Sequence, residues 1–270
     1  MAGNPDLMPK PSLSILGCGW YGLPLAMALK REGYPVKGST TQPEKRKQLE
    51  AQGIEAFQID LCQEEVPPAF LESDILICTL PPANAENYIP AIRRLIAPLR
   101  GAATVKEFLF ISSIGIYEPR NRIETEADIP LVESGKARLL FEAEALCTDV
   151  PGLRSTIIRF GGLTGPGRDL SRYFAGKKNI PQGHAPINLI HLDDCIGITR
   201  AIIEKKAFGR VYHAVHPLHP RRADFYSQSC ARAGLELPEF IPEKTVWKQV
   251  DSIHIPRYLH YTWQRDPSRG

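Results

Sequence analysis

The sequence points to an α/β fold in which a doubly wound parallel sheet is followed by a small C-terminal lobe. Three observations carry that expectation. Short apolar runs alternate with helical patterns from residue 13 onward, and right-handed crossovers turn that alternation into a parallel sheet. The run from Asp74 to Thr79 is almost continuously apolar, as strands buried on both faces are. The stretch Ser14-Ile15-Leu16-Gly17-Cys18-Gly19-Trp20-Tyr21-Gly22 joins a strand pattern to a helix pattern through a glycine-rich turn.

The elements follow in order. Leu13 to Leu16 reads as the first strand and Tyr21 to Arg31 as the first helix, ended by Gly33. Tyr34 to Ser39 is the second strand. Thr40-Thr41-Gln42-Pro43 reads as an N-cap with proline near the first turn, opening a charged helix over 44–52 that Gly53 closes. Ile54 to Ile59 gives the third strand, Asp74 to Thr79 the fourth, 86–99 a helix and Glu107 to Ile111 the fifth strand. An acidic loop over 118–128 precedes a helix at 135–147, which carries Leu139, Leu140, Ala143 and Leu146 on one side. Leu153 to Arg159 is the sixth strand. Past the glycine-rich 161–167 the rhythm loosens into a short segment near 169–175, a helix near 192–204, a strand over 210–215, a helix near 221–233 and an irregular tail over 239–270. Residues 1–160 are therefore expected to form the sheet domain. Residues 161–270 are expected to form mainly the lobe, interleaved with the last elements of the sheet.

Bulk properties narrow the function classes. The 270 residues are 43% hydrophobic and 23% charged, an ordinary globular balance. A net charge of +3 is too small to argue for nucleic acid or an anionic membrane as partner. No apolar run approaches a membrane span, and Met1 to Ser12 lacks the apolar core of a signal peptide. The six cysteines are scattered with no metal-ligand spacing and read as small buried hydrophobes. The expectation is a soluble cytoplasmic protein that takes a small-molecule substrate and holds no metal.

Gly17, Gly19 and Gly22 fit G-x-G-x-x-G, and each glycine answers a physical need. The first permits the tight turn out of the strand. The second lets backbone approach a pyrophosphate, and the third lets helix and strand pack closely, with the helix N-terminus facing the anion. Such a turn binds a nicotinamide dinucleotide in a Rossmann sheet. An acid at the end of the second strand would accept from the ribose 2′-hydroxyl of NAD. Here Ser39, Thr40 and Thr41 occupy that end with Lys45 and Arg46 just beyond, a set suited to a 2′-phosphate. NADP is the expected cofactor and NAD the alternative; the charged run 44–50 reads equally as a solvated helix face.

Several phrases resemble the extended short-chain dehydrogenase/reductase family of epimerases and dehydratases. They are Phe108-Leu109-Phe110-Ile111-Ser112-Ser113-Ile114-Gly115-Ile116-Tyr117, Ile158 to Gly167, Asn188 to Asp194 and Val211-Tyr212-His213. The glycine spacing is similar to the atypical, YeeZ-like branch. The resemblance implies a Rossmann fold, NAD(P) binding and an oxidoreductase or epimerase reaction on a small polar metabolite; homodimers through the helices at 86–99 and 135–147 are common in the family. It also implies a Ser, Tyr and Lys relay. Ser113 holds the Ser position, but Ser134 stands where the Tyr belongs and Arg138 where the Lys belongs. Serine is too weak an acid for the role and arginine stays charged. Arg138 is left to hold a ribose or phosphate. Tyr117 either supplies a phenol in place of the missing one or packs beside the site floor.

The expected cofactor site is thus Gly17, Gly19, Trp20, Tyr21, Gly22, Ser39, Thr40, Thr41, Lys45 and Arg46, joined by Asp60 and Leu61 after the third strand. Leu80, Pro81, Pro82, Ser112, Phe160, Gly161, Gly162 and Leu163 complete it at the carboxyl ends of the later strands. Asp60 either contacts adenine, as the resemblance implies, or caps its own loop. His191 reads as structural at a helix start beside Asp193 and Asp194. His213, His216 and His219 lack ligand partners for a metal. Arg159, Arg168 and His184 either meet an anionic substrate or sit on the surface. Two functions remain: an oxidoreductase or epimerase with an altered relay, or a non-catalytic NADP(H)-sensing protein.

Overall fold

Four-residue strands buried at every position mark the sheet's centre. In the computed structural model, which describes residues 9–82, 85–101, 104–133 and 135–267, β1 (Leu13–Leu16) is buried along its whole length. Helix α1 (Gly22–Arg31) leads to β2 (Val36–Thr40), and α2 (Pro43–Ala51) to β3 (Glu55–Gln58), whose exposed ends mark a sheet edge. The short α3 (Pro68–Leu71) precedes β4 (Ile75–Cys78), again wholly buried. Helix α4 (Ala85–Ile96) buries Tyr88, Ala91, Ile92, Leu95 and Ile96, the i, i+3, i+4, i+7, i+8 stripe of a helix lying on a sheet. Next come β5 (Glu107–Ser113), β6 (Arg122–Glu124), α5 (Gly135–Thr148) and β7 (Arg154–Phe160). The remainder holds β8 (Gly162–Thr164), β9 (Leu189–His191), α6 (Leu192–Glu204), β10 (Val211–Ala214), α7 (Arg222–Arg232) and β11 (Lys248–Val250).

Seven strands form one sheet in the order β10-β7-β5-β4-β1-β2-β3, the doubly wound arrangement expected from the βα rhythm. β1 pairs in parallel with β2 on one side and with β4 on the other, Leu13 facing Val36 and Ile75. The strand order reverses between these neighbours, so a crevice opens at the carboxyl ends of β1 and β4.

Two compact units divide the chain: Met1–Ile111 with Glu142–Thr156, and Ser112–Phe141 with Ile157–Gly270. The first is centred on fully buried Leu13, Ile15, Leu25, Leu29, Leu76 and Ile77. In the second, Ile114, Ile116, Tyr117, Leu140, Val215 and Val250 form one apolar cluster and Ile187, Leu189 and Phe225 another.

Local differences from the sequence reading have physical reasons. The helix over 86–99 ends as α-helix at Ile96 and tightens into a 3₁₀ turn over Ala97–Arg100, because Pro98 cannot donate to the preceding turn. Helix α2 begins at Pro43 with Gln42 as an extended N-cap that gives no side-chain bond; the Thr40 hydroxyl instead accepts from Gln42 N–H at 3.2 Å. The acidic loop and the tail are not wholly irregular. β6 and β11 pair in parallel, Arg122 with Lys248 and Glu124 with Val250. Three-residue strands are too short to display a period of two.

Gly22 is where α1 meets β1. A Cβ there would collide with the carbonyl oxygen of Gly17 and lie 3.5 Å from Ile15 Cγ2. Gly22→Ala is therefore expected to lower unfolding stability by about 1–3 kcal/mol, measured by chemical denaturation; an unchanged midpoint would refute the packing role.

Candidate functional site

The first unit's site is built on Gly17. Its φ of +96° is in the left-handed region that disfavours side chains, and a Cβ would lie 2.7 Å from Thr79 Oγ1. Two flanking strand ends fix this backbone. From β2, buried Ser39 accepts the Gly17 N–H on its hydroxyl (3.0 Å), while its carbonyl accepts the Cys18 N–H (2.7 Å). From the end of β4, the Thr79 hydroxyl donates to Gly17 O (2.6 Å), with Leu16 O at 3.0 Å. Gly19 differs from its neighbours: it is exposed, and a Cβ built on it would meet nothing within 4 Å. The turn is rigid on its protein side and open where a pyrophosphate would lie, so these residues fit a dinucleotide.

Around this turn Trp20 is half-buried and Tyr21 is the buried N-cap of α1. Ser39 and Thr40 are buried with their hydroxyls engaged, whereas Thr41, Lys45 and Arg46 are exposed at the carboxyl end of β2. Arg46 pairs with Glu50 one turn on (3.0 Å); Lys45 makes no hydrogen bond or ion pair among the described residues. Asp60 caps its own loop: Oδ1 accepts from Cys62 N–H (2.9 Å) and Oδ2 from the Gln63 amide (3.0 Å). Leu61 is buried and its carbonyl accepts from Arg94 (2.6 Å). Leu80 and Pro82 are half-buried and Pro81 exposed, directly after Thr79. Thr79 was not singled out in the sequence; its position at the end of the apolar β4 run was the signal that could have found it.

In the second unit, Ser112 is buried at the end of β5. The Ser113 hydroxyl accepts the Gly115 N–H (3.0 Å), capping the 3₁₀ turn Ile114–Ile116. Lys248 Nζ donates to Ile114 O (2.8 Å) and Tyr117 O (2.5 Å), clamping both ends of that turn. Phe160 is buried at the end of β7, and Gly161 N–H donates to Ala214 O (3.0 Å). Gly162 and Leu163 pair with Leu189 and Ile190 as β8 against β9. Arg138 is exposed on α5 and makes no hydrogen bond or ion pair among the described residues. Ser134 lies outside the described residues. His191 is the N-cap of α6, its Nδ1 accepting the Asp193 N–H at 3.1 Å. Arg168 and His184 are both exposed.

Tyr117 is brought together with Arg159 and His213. Arg159 Nη1 donates to the Tyr117 oxygen (2.6 Å), and His213 Nε2 lies 3.0 Å from that oxygen. His213 Nδ1 is 2.9 Å from the Asp251 carbonyl, which can only accept, so Nδ1 carries the proton and Nε2 accepts from the phenol. Glu126, its side chain fully enclosed, accepts from His213 N–H (2.8 Å), the Ser252 hydroxyl (2.6 Å) and Ile253 N–H (2.8 Å). Three donors make this buried carboxylate tolerable. Neither Glu126 nor Lys248 stood out in the sequence, because their partners lie far along the chain. Among the described residues no three His, Cys, Asp or Glu side chains form a metal site, and no helix is long and apolar enough to cross a membrane.

Glycine turn and sheet order together define a nucleotide-binding α/β protein, and comparison with known proteins agrees. The NAD(P)H-binding family model matches residues 18–191, and the chain belongs to that family. Protein YeeZ of Escherichia coli K12 is 34% identical over 239 residues, spanning 84% of this chain and 86% of that protein. A functionally unknown conserved protein from Silicibacter pomeroyi DSS superposes with a TM-score of 0.79 at 20% identity over 96% of each chain. UDP-glucuronic acid 4-epimerase from Bacillus cereus, solved in complex with NAD, gives 0.78 at 18% identity over 96% of this chain and 95% of its own. At those identities the two structures share the fold.

Burial sets the protonation of the interior groups. The Cys18 thiol, inside the glycine turn, is pushed up to about 12 by burial, which keeps it an inert thiol. Burial lowers Lys248 to about 8, with Glu124 and Glu118 opposing. His213 is lowered from 6.5 to about 4, first by burial and against the pull of Glu126. The folded chain thus excludes a proton that the unfolded chain binds between those values. The resulting stability is fully present above about pH 6.5 and is lost as pH falls toward 4. Denaturation midpoints at about pH 7 and about pH 5 should show this loss for the native chain and a smaller loss for His213→Asn. Equal losses would mean that other groups carry the effect.

Proposed function

We propose that the chain binds NADP(H) on the glycine turn of its first unit and serves an oxidoreductase or epimerase-type reaction on a small polar metabolite. The open space at Gly19 beside the locked backbone of Gly17 is the observation that carries the binding. Bound there, the nicotinamide supplies hydride chemistry. Thr41 and Lys45, both exposed at the end of β2 where no acid stands, are the groups proposed to meet a 2′-phosphate, with Arg46 beside them. Trp20, Tyr21, Leu61 and Leu80 to Pro82 are proposed as the remaining cofactor contacts of this unit, while Asp60 holds its own loop.

For the chemistry, Ser113 is proposed to orient a substrate oxygen and exposed Arg138 to hold an anionic group. A nucleotide sugar fits that description, and the Bacillus cereus epimerase was also solved with UDP-glucuronic acid and NAD. A second reading, a non-catalytic NADP(H)-sensing protein, is favoured by one observation. The Tyr117 hydroxyl is already engaged by Arg159 and His213 and is 3% exposed, so a phenol in the family's role would first have to break buried contacts.

Parallel fluorescence titrations with NADPH and NADH test the reading. Saturable binding with NADPH preferred is expected, and no binding of either would overturn it. Gly19→Ala should weaken both nucleotides by tenfold or more, about 1.4 kcal/mol. It should leave the denaturation midpoint unchanged, since its methyl meets only open space; unaltered affinity would remove the pyrophosphate from this turn. Replacing Lys45 and Arg46 by alanine should weaken NADPH more than NADH, and equal losses would count against the phosphate contact.

A further inference from the structure

Beyond the dinucleotide turn, the second unit encloses a cavity of about 360 Å³, within the size range of small-ligand sites. Tyr261 and Trp263 form one wall, Val215 and Ile255 apolar surface, and Asp251 and Gln249 the polar side. The aromatic rings stand perpendicular, with centroids 5.6 Å apart, and His216 backs Trp263 at 4.9 Å. This wall is built into the fold. Fully buried Asp194 at the start of α6 accepts from the Tyr261 hydroxyl (2.9 Å), Gln264 N–H (2.7 Å) and Arg265 N–H (3.3 Å). Gly197, one turn on, leaves the space that the Tyr261 hydroxyl fills.

Among the described residues the lining holds one carboxylate, Asp251, and no lysine or arginine. That carboxylate has acceptor capacity left. Gln249 Nε2 donates to its oxygens at 3.1 and 3.3 Å and His219 Nε2 pairs with Oδ1 at 2.8 Å, which leaves further lone pairs of the carboxylate for a ligand. Perpendicular aromatic rings beside a carboxylate attract a weakly hydrated organic cation through the ring quadrupole and the charge together. The same lining repels a phosphate or carboxylate ligand.

We propose that this cavity is a binding site for a small organic ammonium group, separate from the dinucleotide turn. It is also linked to the buried network, because the main chain of Asp251 accepts from His213 and the Ser252 hydroxyl donates to Glu126.

Calorimetric titration of the full chain at about pH 8 tests this with choline and its uncharged isostere 3,3-dimethyl-1-butanol. Saturable choline binding at least about tenfold tighter than the isostere supports the site. Asp251→Asn should remove that discrimination while leaving the unfolding midpoint in place, since its backbone carbonyl, not its carboxylate, holds His213. Absence of saturable choline binding, or equal binding of the two probes, overturns the proposal. The comparison of probes on the native chain decides the matter even where a variant fails to fold.

Discussion

The nucleotide end of the first unit depends on a single backbone conformation, the left-handed turn at Gly17. A strand that continued straight would leave no platform at its carboxyl end, and only a residue without Cβ leaves it so abruptly at low cost. The turn then exposes polar groups that must be satisfied. Ser39 and Thr79 do this from the two flanking strands, each with a short hydroxyl side chain that reaches the turn without filling it. Parallel pairing of β1 with β2 and β4 is therefore a condition of the site as well as of the core. One hydroxyl on each side converts sheet register into loop geometry, and Gly19 is left facing open space.

The second unit solves a different problem, the enclosure of ionisable groups. Arg159, His213 and the Glu126 side chain are all buried, and isolated charges there would be costly. Glu126 is held by three donors, and His213 stays neutral through burial with its tautomer set by the Asp251 carbonyl. Tyr117 links the set by accepting from Arg159 and donating to His213. Lys248 then fixes the turn from Ile114 to Tyr117 through two carbonyl oxygens, so the backbone after Ser113 is positioned by a strand more than a hundred residues away.

What the sequence reveals follows the range of the interactions. The strands β1, β2 and β4, the helix α4 and the turn at Gly17 to Gly22 were legible because each depends on neighbours within a few residues. Helices α6 and α7 were legible for the same reason. The pairing of β6 with β11, the Glu126 cage, the Lys248 clamp and the tie from Asp194 to Tyr261 join segments between about 60 and 135 positions apart. No local period announces them. Asp60 and Ser39 show a subtler limit: an oxygen of the kind that meets a ligand also serves the chain itself, as Asp60 does for its own loop and Ser39 for the glycine turn, and residue type does not separate the two uses.

The engaged state of Tyr117 bears on whether its phenol can exchange a proton with a ligand. A relay phenol must exchange its proton with substrate, which requires an approachable oxygen and a cation that stabilises the phenolate. Arg159, 2.6 Å from the oxygen, satisfies the second condition; burial opposes the first. Neutral His213 on the other side accepts a hydrogen bond from the phenol, and burial, which lowers the imidazole to about 4, keeps the proton on the oxygen. The phenol of Tyr117 is thus held between one donor, Arg159, and one acceptor, His213, inside the second unit. Tyr117 is therefore held twice, at its hydroxyl by Arg159 and His213 and at its carbonyl by Lys248.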